Sequence, residues 1–140
     1  MDFASGLFAL GGLALGGALS ELRAWREARA RRDDALTDLR RRTYATAIRQ
    51  LETVASRCAR WLEASDKTTA AEAFWEGLTD AYAALNELRL VVVDMQTAEE
   101  YMDLLGIYRA VVEKGGTELP KSGIARGRLV DLFRKDLGVG

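Results

Sequence analysis

The sequence FASGLFALGGLALGGAL (residues 3–19) carries no charge, and the arginine-rich sequence ELRAWREARARR (residues 21–32) follows it almost at once. As a helix, these seventeen uncharged residues span about 25 Å, slightly less than the roughly 30 Å hydrocarbon core of a bilayer. Because the segment is short and rich in glycine, it is only marginally apolar for a lone span. We predict that residues 1–22 form a transmembrane anchor to which the rest of the chain is attached.

The charges flanking this segment predict its orientation. Five arginines follow it closely, whereas only Asp2 and the chain terminus lie before it. The positive-inside rule then places the N-terminus outside and the body of the protein in the cytoplasm, at the inner membrane. The residues expected at the lipid headgroups are Arg23, Trp25, Arg26, Arg29, Arg31 and Arg32.

Small residues recur at helical spacing within the same segment. Gly12 and Gly16 form a GxxxG pair, which allows two helix backbones to approach closely in lipid. This pattern predicts a homo-oligomer formed through the anchors, although small residues are common in apolar segments and the pair alone is a weak signal. The complete stripe is Ser5, Ala9, Gly12, Gly16 and Ser20.

The N-terminal segment is also compatible with two alternatives to a permanent span. A cleaved signal peptide is one, since Ala18-Leu19-Ser20 is an acceptable cleavage site, but the basic region expected before the apolar stretch is missing. The second is a soluble protein whose apolar N-terminal helix is buried in an oligomer or inserts into lipid only on activation.

The remainder of the chain has an all-α composition. It has one proline and is rich in alanine, leucine, arginine and glutamate. We expect the N-terminal transmembrane helix to continue into a long stalk helix, followed by an up-and-down bundle of three or four helices. The predicted regions are the anchor (residues 1–22), a charged juxtamembrane stalk (residues 23–43) and a cytoplasmic bundle (residues 44–137).

Apolar spacing predicts the buried face of each helix in the bundle. The first helix is expected to end near Ala64, with a seam of Tyr44, Ile48, Leu51, Ala55, Cys58 and Leu62. Two capping boxes, Thr69 to Glu72 and Thr97 to Glu100, are expected to open the second and third helices, and Gly115-Gly116 to end the third. A last helix is expected near residues 124–137. The inward residues of these three helices are Phe74, Leu78, Tyr82, Leu85, Leu88, Val92 and Met95; Tyr101, Leu104, Leu105, Tyr108, Val111 and Val112; and Ile124, Leu129, Leu132 and Phe133.

The residues that carry most enzyme chemistry are scarce here. Histidine is absent, and the single cysteine, Cys58, lies on the apolar seam, where a buried core thiol is expected. Paired carboxylates occur at helix starts or at solvated positions, and there is no nucleotide-binding or hydrolase motif. We therefore expect a protein that is not an enzyme and that has no cofactor and no metal site.

Two charged ridges are candidates for subunit contacts. Net charge is +4 over residues 21–64, −7 over residues 65–118 and +3 over residues 119–140, which favours packing between copies over nucleic-acid binding. Two solvated helix faces are the simpler interpretation of the same spacing, and the one that we favour. The basic ridge comprises Arg42, Arg49, Arg57 and Arg60, and the acidic ridge Glu72, Glu76, Asp80, Glu87 and Asp94.

These features predict a non-enzymatic, single-pass membrane scaffold, adaptor or structural subunit that self-associates and presents its bundle to an unknown protein partner. The alternative is a membrane-perturbing effector, such as a toxin, holin-like protein or defence effector, whose glycine-rich helix inserts or oligomerises in the bilayer. No nucleic-acid partner is expected, because the aromatic residues lie at core positions. A high ratio of arginine to lysine is typical of a GC-rich bacterial genome.

Overall fold

The protein is built from helices. The computed structural model describes the backbone of residues 3–139 and the side chains of residues 17–139. The described backbone forms four helices and no strand, which confirms the all-α prediction. The helices are α1 (Phe3–Glu63), α2 (Lys67–Val91), α3 (Met95–Glu113) and α4 (Gly123–Asp136). The chain divides into two compact units, Met1–Thr37 and Asp38–Gly140.

The described part of the first unit lies entirely within α1. Residues 17–36 are all exposed, and local interactions connect successive turns. Arg31 Nη2 lies 3.7 Å from Glu27 Oε2, and the Thr37 hydroxyl donates to the Asp33 carbonyl at 2.9 Å. The side chains of residues 1–16, which form most of the predicted anchor, lie outside the described residues. Among the residues that are described, no helix is both long and apolar enough to cross a membrane.

The second unit has a continuous apolar core to which all four helices contribute. On α1, the predicted seam residues Tyr44, Leu51 and Cys58 are buried. The intervening seam residues Ile48, Ala55 and Leu62 pack against the same core but are only partly buried. Both i+3 and i+4 neighbours border such a seam, and spacing alone does not decide which of them faces the core. The neighbours that are buried instead are Ala47, Val54 and Trp61.

Consecutive helices of the second unit are antiparallel. In each contacting pair of helices, residue numbers rise along one helix as they fall along the other, which gives an up-down-up-down bundle. The contacts that show this are Arg57 with Ala73 and Arg40 with Val91; Tyr82 with Arg109 and Arg89 with Met102; and Tyr108 with Ser122 and Glu100 with Arg128.

Helix α2 begins at Lys67 and is capped by Asp66, so the predicted capping box at Thr69 is wrong. The Asp66 carboxylate accepts from the Thr69 amide at 3.2 Å and from the Thr69 hydroxyl at 2.6 Å. These hydrogen bonds to Thr69 lower the pKa of Asp66. The carboxylate satisfies an N–H group that the helix leaves free, and the helix therefore starts before Thr69.

Helix α3 was assigned the wrong start for the same reason. Asp94 is its N-cap and accepts from the Gln96 amide at 2.9 Å, whereas Thr97 is fully buried one turn later. Helix α2 ends at Val91, and Val92 is extended, so the helix does not continue to Met95, although Val92 and Met95 were predicted as its inward residues. Met95 lies in the first turn of α3 and is half exposed, in contrast to its predicted burial.

The end of α3 was predicted correctly, and the inward face of α4 was predicted only in part. Gly115 has a φ of +64°, and the Gly116 amide donates to the Val111 carbonyl at 2.8 Å, so these glycines end α3 as expected. Leu129 and Phe133 are buried, but Ile124 is 86% exposed. Five positions separate Ile124 from Leu129, which is about 140° around a helix. The two residues therefore cannot both face the core.

Candidate interaction surfaces

The arginine-rich part of α1 carries an aromatic side chain among cations. Trp25 is 58% exposed, and the Arg29 guanidinium carbon lies 5.3 Å from the centre of its ring. Trp25, Arg29 and Arg32 line the same shallow hollow, whereas Arg31 pairs with Glu27 elsewhere on the helix. Arg23 and Arg26 are exposed as well. This combination of an indole ring and guanidinium groups suits the headgroup region of a bilayer.

The small-residue stripe of the predicted anchor lies almost entirely outside the described side chains. Ser5, Ala9, Gly12 and Gly16 belong to residues 1–16, whereas Ser20 is described and exposed. Gly17, which follows the GxxxG pair, has open space around the position of a Cβ atom. Close approach of two anchors through Gly12 and Gly16 stays a prediction.

One member of the basic ridge serves the bundle itself. Arg42, Arg49 and Arg60 are exposed, but Arg57 is half-buried and its Nη1 donates to the Ala73 carbonyl at 2.7 Å. A Cβ at Gly77 would lie 3.1 Å from the Arg57 Cδ, so the missing side chain of this glycine leaves room for the arginine. Gly77 lies on the buried face of α2, and a glycine at such a position is the sequence signal that was missed.

The acidic ridge is shorter than predicted. Glu72, Glu76, Asp80 and Glu87 are exposed along α2. Asp94 lies beyond the end of α2, and its carboxylate caps α3. The carboxylates available to a partner along this helix are therefore the first four.

The cross-helix ion pairs of the described residues use other side chains. Arg126 of α4 lies 3.6 Å from Glu52 of α1, and Arg128 lies 3.4 Å from Glu100 of α3. Glu52 lines a hollow with Arg49 and Arg60, so the basic ridge contains one carboxylate. Exposed pairs of this kind contribute about 0–1 kcal/mol each, which is enough to favour one register over another.

Tyrosine hydroxyls connect the helices inside the bundle. Tyr44 stacks on Phe133 with ring centres 4.4 Å apart, and its hydroxyl donates to Asp136 at 2.8 Å. The Tyr101 hydroxyl donates to the Ala47 carbonyl at 2.9 Å. Burial is the main cause that raises the pKa of both tyrosines, and the Asp136 carboxylate adds to the shift at Tyr44. These hydroxyls therefore stay protonated at neutral pH and join the helices through hydrogen bonds.

Cys58 is fully buried, as predicted, and burial raises the pKa of its thiol. Between residues 17 and 139, no group of three or more histidine, cysteine or acidic side chains is placed to hold a metal ion. Comparison with protein-family models, curated proteins and solved structures finds no match to this chain. No relative therefore indicates which of the exposed surfaces is used.

Proposed function

We propose that this protein is a non-enzymatic, single-pass membrane scaffold or adaptor that self-associates as a subunit of a membrane complex. The observation that carries the proposal is the uncharged segment of residues 3–19 followed by five arginines. In this proposal the N-terminus lies outside the inner membrane and the bundle lies in the cytoplasm. The exposed Trp25, with Arg29 close to its ring, supports contact with lipid headgroups beside the anchor.

Assembly is proposed to begin in the lipid and to be guided by the bundle. Gly12 and Gly16 let two anchors pack closely, and sharing one membrane raises the effective concentration of the bundles. The exposed carboxylates of α2 then meet the exposed arginines of a neighbouring copy. Because Arg57 is bonded to Ala73, the arginines assigned to this contact are Arg42, Arg49 and Arg60. An unidentified protein partner binds the remaining bundle surface.

Membrane fractionation and a topology reporter test this proposal. After a carbonate wash, the full-length chain should remain in the membrane pellet, and a reporter fused after Gly140 should be active only if it works in the cytoplasm. Release of the intact chain as a monomer by carbonate would overturn the anchor.

Paired substitutions test the helix contact. Gly12→Leu with Gly16→Leu should reduce energy transfer between labelled copies in the membrane, because bulky side chains keep the backbones apart. The matched control is Gly11→Leu with Ala18→Leu, which adds the same side chains to the other side of the helix. If both double variants reduce energy transfer equally, the glycine pair is not the contact.

The second candidate function is a membrane-perturbing effector. The observation that favours it is the short, glycine-rich character of residues 3–19, which makes the span marginal as a permanent anchor. Induced expression should then collapse the membrane potential and stop growth, and Gly12→Leu with Gly16→Leu should abolish both effects. Harmless accumulation of the full-length chain in the membrane would contradict this candidate.

A further inference from the structure

The side of the bundle formed by α1 and α2 carries both charged ridges. Arg57 and Arg60 of α1 line one groove together with Ala73 of α2, so the basic ridge borders the second helix. Arg42 lies seven positions before Arg49, and Arg60 lies eleven positions after it. These separations are close to two and three helical turns, so the three exposed arginines lie on the same side of α1.

The acidic ridge borders the same groove from α2. Asp80 and Glu87 lie seven and fourteen positions after Ala73, whose carbonyl accepts from Arg57. Both carboxylates are therefore on the side of α2 nearer α1, with Glu76 beside them. In the part of the chain that the structure describes, no ion pair involves an exposed member of either ridge.

The charges of the two ridges are also at matching levels along the bundle. Because α1 and α2 are antiparallel, each step forward along α2 from the Arg57–Ala73 contact corresponds to a step backward along α1. Asp80 is therefore level with residue 50 of α1, next to Arg49. The three pairs that are level to within about two residues are Arg42 with Glu87, Arg49 with Asp80, and Arg60 with Glu72.

We propose that this α1–α2 face packs against the same face of a second copy about a two-fold axis parallel to the helices. Helix α1 of each copy then lies along α2 of the other. Rotation about such an axis leaves every residue at its own level, so the three level pairs become contacts between the copies. The inference rests on the proposed self-association, and it adds the symmetry, the register and a copy number of two.

The charge pattern favours this arrangement over other contacts between copies. A two-fold axis running across the helices would place α1 on α1 and α2 on α2, which opposes like charges along both ridges. A ring or filament needs two different complementary surfaces, whereas both ridges lie on one face. With the axis parallel to the helices, both bundles also point in the same direction, as two chains inserted alike in one membrane require.

Glu52, the carboxylate next to the basic ridge, does not face the second copy. It lies five positions before Arg57, about 140° around α1, and it is 3.6 Å from Arg126 of α4. Exposed ion pairs are individually weak, so the six symmetric pairs select the register. Confinement to one membrane supplies the effective concentration that the weak contact needs.

Charge reversals in the full-length chain test the inference. Two Arg49→Asp chains would oppose carboxylates at the contact with Asp80, and two Asp80→Arg chains would oppose arginines there. A mixture of the two variants restores opposite charges at both symmetric contacts, whereas mixing restores nothing within either chain. Rescue by mixing is therefore specific for a contact between copies.

Energy transfer in phosphatidylcholine vesicles measures the association. Dyes are attached at Ile124→Cys, because Ile124 is 86% exposed on α4, outside the proposed contact, while Cys58 is buried. Every chain carries Gly12→Leu with Gly16→Leu, so that the predicted anchor contact does not mask the bundle contact. Either reversed variant alone should need about tenfold more protein per lipid for half-maximal transfer than the unreversed chain, and the mixture should return to within about twofold.

Glu87→Arg supplies the matched control. Glu87 is level with Arg42 and not with Arg49, so mixing Glu87→Arg with Arg49→Asp leaves two like-charged contacts, as many as in either variant alone. This mixture should remain as weakly associated as the single variants. If it associates as well as the mixture with Asp80→Arg, the proposed register is wrong.

Equal energy transfer from the reversed variants, their mixture and the unreversed chain would overturn the inference. So would weak transfer that mixing does not restore, because the reversals would then act within one chain. The carbonate wash separates these results from the proposed function. A chain retained in the pellet whose energy transfer ignores the reversals keeps its anchor and loses this two-fold contact. A chain that carbonate releases, but whose variants still rescue each other, pairs through its bundle without an anchor.

Discussion

Residues 17–36 and residues 44–61 belong to the same helix, α1, and differ in almost everything except helical backbone. In the first stretch every side chain is exposed, and the helix is supported by ion pairs and hydrogen bonds between its own turns. In the second, a row of side chains from Tyr44 to Trp61 is buried in the bundle. Local propensity sets the conformation of the first stretch, whereas tertiary packing stabilises the second. A helical backbone therefore says little about where the stability of this protein resides.

The largest expected difference in the free energy of unfolding is between alanine substitutions at two leucines of α1. Leu51 is 2% exposed and Leu36 is 37% exposed. Leu51→Ala should lower the free energy of unfolding by about 2–5 kcal/mol, because it leaves a cavity in the core. Leu36→Ala should change it by no more than about 0.5 kcal/mol. Urea unfolding followed by circular dichroism measures both, and similar losses would show that residues 17–36 are packed against something in solution.

A smaller effect is expected when a hydrogen bond between two helices is removed. Tyr101→Phe deletes the hydrogen bond to the Ala47 carbonyl and should cost about 0.5–1.5 kcal/mol. Tyr82→Phe is the control, since the Tyr82 hydroxyl is at the bundle surface with only a 3.5 Å contact to Arg109. Thermal melts of the two variants should separate them, and equal melting temperatures would mean that the buried hydrogen bond adds no stability.

The raised pKa of Tyr101 also predicts that the fold loses stability at alkaline pH. Burial raises the pKa of Tyr101 in the folded chain, so folding is favoured while the hydroxyl is protonated. This contribution is present below the unfolded pKa of about 10 and is lost as the pH rises above it. The melting temperature of the wild type should therefore fall faster above pH 10 than that of Tyr101→Phe.

Alanine substitutions at two glycines, one in the bundle and one in the exposed part of α1, change helix propensity alone, because both glycines have open surroundings. A Cβ at Gly106 in α3 or at Gly17 in α1 would meet no atom within 4 Å. Gly106→Ala should stabilise the bundle by about 0.5–1 kcal/mol, because alanine favours a helix interior over glycine. Gly17→Ala should raise helical content but leave the melting temperature of the bundle unchanged. A higher melting temperature in the second variant would indicate that the two regions unfold together.

The last comparison concerns the cap of α2, whose contribution depends on pH. Hydrogen bonds from Thr69 lower the pKa of Asp66 in the folded chain, so its stabilising contribution is complete above the unfolded pKa of about 3.9. As the pH falls through the lower, folded pKa, that contribution disappears. Asp66→Ala should therefore lower the melting temperature at pH 7 and have progressively less effect in acid. Glu27→Ala, which removes an exposed ion pair from α1, should leave the bundle melting temperature unchanged at either pH.

The sequence predicts the helices and most of the core because apolar periodicity records which side of each helix is covered. It predicts Tyr44, Leu51 and Cys58 correctly for this reason, and also Tyr101, Leu104 and Leu105. Helix starts were less certain, since an aspartate and a threonine three residues apart are both good caps. Asp66 and Asp94 satisfy free N–H groups ahead of Thr69 and Thr97, and the local sequence does not reveal that outcome.

The candidate surfaces were predicted less well than the core, because exposure depends on contacts between distant parts of the chain. Arg57 matches the spacing of a solvated ridge, yet the gap at Gly77 lets it reach the Ala73 carbonyl. Leu90 continues an apolar run and is nevertheless the most exposed apolar residue of its turn. The end of α2 at Val91 and the bond from Arg40 to its carbonyl become evident only when the helices are packed together.

Because Cys58 is buried, its thiol is a natural probe of the opening of the bundle. A thiol without solvent contact, whose pKa burial raises, reacts with an aqueous reagent only after the surrounding helices have separated. The rate of its modification in the native chain therefore reports how often the bundle opens. Because the chain has no other cysteine, that rate can be followed in the purified protein without any engineered probe.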